Sequence, residues 1–203
     1  MRKPKLRELK EALRSLLSPA YTTTFPATPH EPPDGFRGRP EYHEDGCIGC
    51  RTCAEVCPAI AIKVQDDLAG EQPRRTLTCH WDKCVYCGQC ELCCPTKEGI
   101  KLSKKFDHIT LDRATLRTSV ELDLVVCQVC GCAVGTRKHL VWVAERLGAK
   151  AYANPTLIVA ADGAISLAEP VATAPESLAR NNMMRVACPD CRRTIVLREM
   201  WGE

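Results

Sequence analysis

A run of four cysteines closed by a proline occurs twice in this chain and constrains its fold more than any other feature. The copies read Cys47-Ile-Gly-Cys50-Arg-Thr-Cys53-Ala-Glu-Val-Cys57-Pro58 and Cys84-Val-Tyr-Cys87-Gly-Gln-Cys90-Glu-Leu-Cys93-Cys94-Pro95. A strand-like segment follows each copy, at 59–64 and 99–103, so the region is an internal repeat. A turn at 66–72 and a strand at 74–80 lie between the copies. This order predicts a small α+β unit with pseudo-twofold symmetry.

The spacing C-x-x-C-x-x-C-x-x-x-C-P is typical of bacterial two-cluster ferredoxins, in which the fourth cysteine of each run serves the other cluster. Three thiolates on a tight turn reach three irons of one cubane, while the fourth enters a helix and points to the neighbouring site. The sequence therefore predicts two [4Fe-4S] clusters. Cluster I is assigned to Cys47, Cys50, Cys53 and Cys94, and cluster II to Cys84, Cys87, Cys90 and Cys57.

A chain with 15 cysteines could also be a disulfide scaffold. The first residues lead into an amphipathic pattern and not into the apolar core of a signal peptide, which favours a cytosolic metal protein. Zinc is disfavoured for the paired runs because it usually takes four ligands in two pairs. Cys93 competes with Cys94, but only Cys94 keeps the spacing and precedes Pro95. Cys79 fits neither run and is interpreted as a small apolar core residue.

A third cysteine group lies near the C-terminus. The pairs Cys127/Cys130 and Cys188/Cys191 predict a four-thiolate metal site, although the gap between them is longer than in most ribbons. Zinc is the favoured ion, and a single rubredoxin-like iron is the alternative. Cys132 either replaces Cys130 or stays free. The apolar core of this part is too small to fold without its metal.

The first residues predict a helix that could contact a membrane. Residues 3–17 place leucines at three- and four-residue spacing, opposite a basic face. Such a helix either packs on its own protein or lies on a membrane surface or membrane subunit. Proline-rich residues 21–40 predict an extended docking arm. No apolar run is long enough to span a bilayer, and the formal charge of +3 is too small to imply nucleic-acid binding.

These features predict an α+β chain in four parts: an amphipathic helix and docking arm (1–40), a bacterial two-cluster ferredoxin fold (41–105), a linker, helix or docking segment (106–126), and a four-cysteine zinc-ribbon or rubredoxin-like domain (127–203). In the last part we expect a helix at 138–147, a strand at 155–160 and a surface loop at 161–182.

The order of helix, arm with Phe36-Arg-Gly-Arg-Pro40, and two cysteine runs resembles the two-cluster iron-sulfur subunit of respiratory complex I and of membrane-bound hydrogenases. This resemblance covers residues 1 to about 110. With the pairs Cys127/Cys130 and Cys188/Cys191, nearly the whole chain resembles the iron-sulfur subunit of formate hydrogenlyase and related group 4 [NiFe] hydrogenases.

The resemblance implies an electron-transfer subunit that is not catalytic alone. It would relay electrons from a donor module, such as formate dehydrogenase with its ferredoxin-like subunit, to the hydrogenase small subunit and then to the [NiFe] site of the large subunit. The implied location is peripheral, on the cytoplasmic side of the cell membrane, with the first helix on a membrane-arm subunit. No small-molecule substrate or nucleic acid is expected.

Two other functions compete with this one. A complex I subunit would pass electrons toward quinone, but the C-terminal cysteine pairs argue against it. A zinc-ribbon interaction or nucleic-acid module would use the clusters structurally, and the low net charge counts against that.

Overall fold

The computed structural model describes residues 5–20, 22–70, 72–161 and 186–201. The chain divides into two compact units, Met1–Phe36 and Arg37–Glu203. The predicted parts 41–105, 106–126 and 127–203 therefore belong to one unit.

The first unit contains helix α1 (Leu6–Leu17), which confirms the predicted N-terminal helix. The backbone N–H of Lys5 donates to Glu8 Oε2 at 3.1 Å, and Ser18 Oγ donates to the Arg14 carbonyl at 2.8 Å. The five leucines of α1 are 60–87% exposed. Residues 22–36 contain no regular helix or strand, in keeping with the predicted arm.

The second unit mixes helices and sheets. Its elements are β1 (Pro40–Tyr42), α2 (Thr52–Glu55), β2 (Ile62–Asp67), β3 (Arg74–His80), α3 (Gln89–Leu92), β4 (Ile100–Leu102), β5 (Arg117–Val126), β6 (Ala133–Thr136), α4 (Arg137–Leu147), α5 (Pro155–Ala161) and α6 (Pro189–Trp201). Strands β1 and β4 form one antiparallel sheet. The other sheet has the order β2-β3-β5-β6, and all its neighbours are antiparallel.

Strand β3 lies at the centre of the core. Its alternate residues Arg75, Leu77 and Cys79 are buried, as expected for a strand with one buried face. Leu77 faces Val64 of β2 and Val120 of β5 in the strand register. The predicted strand at 74–80 is confirmed.

Residues 106–126 differ from the prediction of a linker, helix or docking segment. Their second half is β5, in which Val120, Leu122 and Leu124 are buried and alternate with exposed Glu121 and Asp123. This period of two residues is that of a strand. The segment completes the sheet next to β3.

The C-terminal part is more helical than the predicted ribbon. Helix α4 confirms the helix predicted at 138–147. At its C-terminal end the Gly148 N–H donates to the Ala144 carbonyl. The predicted strand at 155–160 is wrong, because these residues form α5. Pro155 occupies the first helical position, and Asn154 Oδ1 accepts from the Thr156 N–H at 3.2 Å. The loop predicted at 161–182 lies outside the described residues beyond 161.

None of the described helices is both long and apolar enough to cross a membrane.

Candidate metal centres

Two cavities in the described part of the second unit are lined by cysteines of the repeated runs. Cavity I contains Cys47, Cys50, Cys53 and Cys94 in its lining. Cavity II contains Cys57, Cys84, Cys87 and Cys90. Each cavity thus collects three cysteines of one run and the fourth cysteine of the other. These are the two ligand sets predicted from the spacing.

The same local backbone builds both cavities. Gly49 in the first run and Tyr86 in the second adopt left-handed φ values of 69° and 53°. Arg51 and Gly88 are also left-handed, and each precedes a four-residue helix that holds the third cysteine of its run. Two left-handed residues in each run turn the backbone tightly, so that its first three thiols face one space.

Donor groups lie beside several of the sulfur atoms. The backbone N–H of Ala61 donates to Cys57 Sγ at 3.3 Å, and that of Tyr86 donates to Cys84 Sγ at 3.4 Å. The Tyr42 hydroxyl lies 3.6 Å from Cys53 Sγ. Donors of this kind stabilise thiolate, which is the form that binds iron.

Burial opposes ionisation of the same thiols. Desolvation raises the pKa of Cys53 to about 11 and the pKa of Cys90 to about 12. It also raises the pKa of Tyr42, so this hydroxyl keeps its proton at neutral pH. Cation binding must therefore displace a proton from each of these thiols. The donor set, with the four thiols of a predicted ligand set in each apolar cavity, fits an iron-sulfur cluster.

The two cysteine runs differ in how they are covered. Ile48 in the first run is 8% exposed, whereas its counterpart Val85 in the second run is 62% exposed. The cover over the first run comes from the residues after β5. Thr136 Oγ1 donates to the Ile48 carbonyl, and Lys138 Nζ donates to the Glu44 carbonyl at 2.7 Å.

Arg75 fixes the first run from the sheet side. This buried side chain donates to the Gly49 carbonyl at 3.0 Å, and it makes two 2.7 Å bonds to the Asp66 carboxylate. Its guanidinium lowers the pKa of Asp66. A buried charge that is paired and fully bonded is tolerated, whereas a broken pair is costly.

Gly49→Ala should destabilise the second unit strongly. A Cβ at Gly49 would lie 2.6 Å from Thr136 Cγ2 and 2.8 Å from Leu122 Cδ1. The left-handed backbone costs about 1–2 kcal/mol for a residue with a Cβ, and the overpacking costs about 1–3 kcal/mol more. Urea unfolding followed by circular dichroism measures the sum.

Gly131→Ala is the matched control, because Gly131 has a φ of 73° and a Cβ added there would have no neighbour within 4 Å. We expect it to cost only the backbone part, about 1–2 kcal/mol. Equal losses of unfolding free energy in Gly49→Ala and Gly131→Ala would show that Thr136 and Leu122 do not confine the first run.

A third thiol group forms where the chain passes from β5 to β6. The sulfur atoms of Cys127, Cys130, Cys132 and Cys188 all lie within 4.8 Å of one another. Cys127 and Cys188 are buried, and Cys130 and Cys132 are exposed. Backbone N–H groups of Val129 and Cys188 donate to Cys127 Sγ at 3.4 and 3.3 Å. Four sulfurs this close, with amide donors, suit a tetrahedral metal ion.

Cys191 reaches the same group from the first turn of α6. Its N–H donates to Cys188 Sγ at 3.4 Å, and its thiol lies near those of Cys188, Cys130 and Cys127. Five thiols thus converge, one more than a tetrahedral site requires. The predicted set of Cys127, Cys130, Cys188 and Cys191 shares three members with the set that lies closest together.

The sequence interpretation missed some residues of these centres. Cys79 is buried in the core of β3, which confirms its prediction as a core residue, and it also lines cavity II. Tyr42 belongs to cavity I, and Thr136 lies over the first run. The sequence could have indicated that Cys79 lies near the second run, because it is an inward-facing residue on a strand that ends just before that run. No local pattern marks Tyr42 or Thr136.

Comparison with known proteins agrees with the cysteine geometry. Residues 36–98 match the family described as the 4Fe-4S dicluster domain. NADH-quinone oxidoreductase subunit 9 of Rhodothermus marinus is 38% identical over 68 residues, which cover 30% of this chain and 30% of that protein. Formate hydrogenlyase subunit 6 of Escherichia coli (strain K12) is 42% identical over 48 residues, which cover 24% of this chain and 27% of that protein.

One solved structure is also similar, that of the membrane-bound sulfane sulfur reductase (MBS), an archaeal respiratory membrane complex. It covers 57% of this chain and 61% of its own chain at 24% identity, and its TM-score of 0.41 is too low to establish a shared overall fold. The matches to the two curated relatives span less than a third of each relative's length. The resemblance stated from the motifs is confirmed for the region of the cysteine runs: residues 36–98 match a 4Fe-4S dicluster domain, and parts of the chain are similar to the two curated oxidoreductase subunits.

Proposed function

We propose that this iron-sulfur protein is an electron-relay subunit that carries two [4Fe-4S] clusters within a membrane-bound oxidoreductase of the hydrogenase or formate hydrogenlyase type. The observation that supports this most directly is the exchange of the fourth cysteine. Cavity I takes Cys94 from the second run, and cavity II takes Cys57 from the first. An interlocked pair of sites places two clusters side by side, which suits a relay.

The chain's own residues would hold the clusters and exclude water. Cys47, Cys50, Cys53 and Cys94 would hold cluster I, and Cys84, Cys87, Cys90 and Cys57 would hold cluster II. A bound cluster of this kind supplies one-electron chemistry. Buried Leu77 and Ile100 wall cavity I, and buried Ile62 walls cavity II. Catalysis would belong to other subunits of the complex.

The second cysteine run is the more accessible point for a redox partner. Val85 is exposed beside two predicted ligands of cluster II, whereas the first run lies under Thr136 and Lys138. Electron exchange between proteins is fastest when a cluster lies near the surface. We therefore assign a partner contact to this face, with a ferredoxin-like donor subunit and the hydrogenase small subunit as the expected partners.

Helix α1 would attach the subunit at the membrane. Its leucines are exposed along one side, and its charged residues include Arg7, Lys10 and Arg14. A membrane-arm subunit or the membrane surface would cover the leucines. The proposed location is therefore peripheral, on the cytoplasmic side of the membrane, next to the hydrogenase large and small subunits.

The C-terminal thiol group would be structural. The apolar clusters described in the same part of the chain are small: one contains Val125 and Val186, and another contains Ala144, Ala151 and Leu157. A Zn²⁺ ion, or a single rubredoxin-like iron, would supply the stability that this core lacks. Cys127, Cys130, Cys188 and Cys191 are the ligands that we propose, with Cys132 as the competitor for one place.

A second function is favoured by the similarity to NADH-quinone oxidoreductase subunit 9. In that case the same two clusters would pass electrons toward quinone. The two functions share the cluster ligands and differ in their neighbouring subunits.

Metal analysis of the complex purified without oxygen tests the proposal. We expect about eight irons and eight sulfides with one zinc, or about nine irons without zinc. Co-purification of hydrogenase large and small subunits supports the first function, and co-purification of quinone-reducing subunits supports the second. Absence of acid-labile sulfide would contradict both.

A further inference from the structure

The strongest asymmetry between the two cavities is a partly buried tyrosine hydroxyl that faces a sulfur atom. On the paired strands β1 and β4, Tyr42 lies opposite Ile100, and both line cavity I. One step along the same face, Pro40 lies opposite Leu102, and both line cavity II. Equivalent strand positions therefore bring a hydroxyl to cavity I and only apolar side chains to cavity II.

The Tyr42 hydroxyl lies 3.6 Å from Cys53 Sγ, within the range of a hydrogen bond to sulfur. The side chain of Cys53 is buried. Once Cys53 binds iron as a thiolate it has no proton, so the tyrosine hydroxyl must be the donor.

The tyrosine at cavity II is arranged differently. Tyr86 lines that cavity, but its hydroxyl donates to the Trp81 carbonyl at 3.3 Å. Cavity II is also lined by the thiol of Cys79, which lies outside the predicted ligand set. A thiol is a weaker donor than a phenol.

We propose that Tyr42 is a positioning residue that raises the reduction potential of cluster I through an O–H···S bond to Cys53. This inference rests on the proposed function, because it requires the two clusters. A hydrogen bond to a ligating sulfur stabilises the reduced cluster, which carries one more negative charge than the oxidised cluster. Removal of the bond therefore disfavours the reduced state of cluster I and leaves cluster II unchanged.

A redox titration followed by electron paramagnetic resonance measures this effect in the full chain with both clusters bound. Tyr42→Phe should lower the midpoint potential of cluster I by ~59 mV, which is a tenfold change in the one-electron equilibrium constant. Cys50→Ala and Cys87→Ala, which each remove a ligand of one cluster, identify the signals. The iron and sulfide contents of Tyr42→Phe should equal those of the unsubstituted protein.

Tyr86→Phe is the matched control, because it removes a hydroxyl that bonds to a backbone carbonyl and not to sulfur. The potential of cluster I should stay unchanged in this variant. Site-specific fluorotyrosine at position 42 keeps the ring and makes the hydroxyl a stronger donor, so it should raise the potential of cluster I. This second substitution tests the bond even if Tyr42→Phe fails to retain cluster I.

An unchanged cluster I potential in both position-42 variants would overturn the inference, and so would an equal fall in Tyr86→Phe. Failure of the proposed function gives a different result from failure of the Tyr42 inference: the unsubstituted protein itself would show no pair of [4Fe-4S] signals.

Discussion

Replacement of Cys50 or Cys87 by alanine should abolish electron transfer through the parent complex. Each substitution removes one of the four thiols that line a cavity, and a cluster does not persist without its ligand. About four of the eight irons should be lost in each variant. Hydrogen evolution with the physiological donor should fall to background, while hydrogenase activity with an artificial dye stays largely intact. Both assays use the same purified complex.

Cys93→Ala is the control for this experiment. Cys93 belongs to the second run, but it lines neither cavity, and its sulfur lies 4.0 Å from Gln89 Oε1. Iron content and physiological turnover should both survive its loss. If turnover persisted in Cys50→Ala or Cys87→Ala, the electron path would bypass the affected cluster and the relay would lie elsewhere.

Removal of the C-terminal metal should unfold the end of the chain. Structural zinc contributes ~10–16 kcal/mol in small zinc-binding peptides, as much as the ~5–15 kcal/mol net stability of a whole domain. The apolar clusters among the described residues of this part are small, so they do not replace that contribution. Cys188→Ala, or treatment with a chelator, should make the segment after Cys127 sensitive to protease. Mass spectrometry of the fragments locates the cuts.

Cys132→Ala and Cys191→Ala decide which thiol completes the metal site. The variant that removes a ligand should lose the metal and become protease-sensitive, whereas the other should keep both metal and resistance. Cys191 starts α6 beside Cys188, and Cys132 shares a turn with Cys130. Full metal content and resistance in Cys188→Ala would contradict a structural metal altogether.

Much of the dicluster unit could be predicted because its chemistry is local. The cysteine spacing defines turns of a few residues, and the exchange of Cys57 and Cys94 follows from the same spacing. The alternation of Arg75, Leu77 and Cys79 likewise marks β3 in the sequence. Helix α4 carries its own cap at Thr136, where the hydroxyl accepts from the His139 N–H at 3.3 Å.

The remaining features depend on contacts between distant residues. Residues 117–126 form a strand because β3 offers an open edge, and the mixed polar pattern alone did not separate strand from helix. The periodicity of a short apolar segment such as 155–160 does not distinguish a strand from a helix. The side-chain bond from Asn154 to the first turn favours the helix. Tyr42 faces Cys53 only because β1 pairs with β4 across more than fifty residues of sequence.

The sheet order β2-β3-β5-β6 also limits where such a chain could be truncated or recombined. A gene that stopped at residue 105 would keep every predicted cluster ligand but would lose β5, whose Val120 and Leu122 share a core with Leu77. One edge of β3 would be left with unpaired backbone groups, a template for aggregation. The segment that holds all predicted cluster ligands is therefore shorter than the segment that forms the core, and recombination at the end of the cysteine runs would keep the motif but remove the part of the core that β5 supplies.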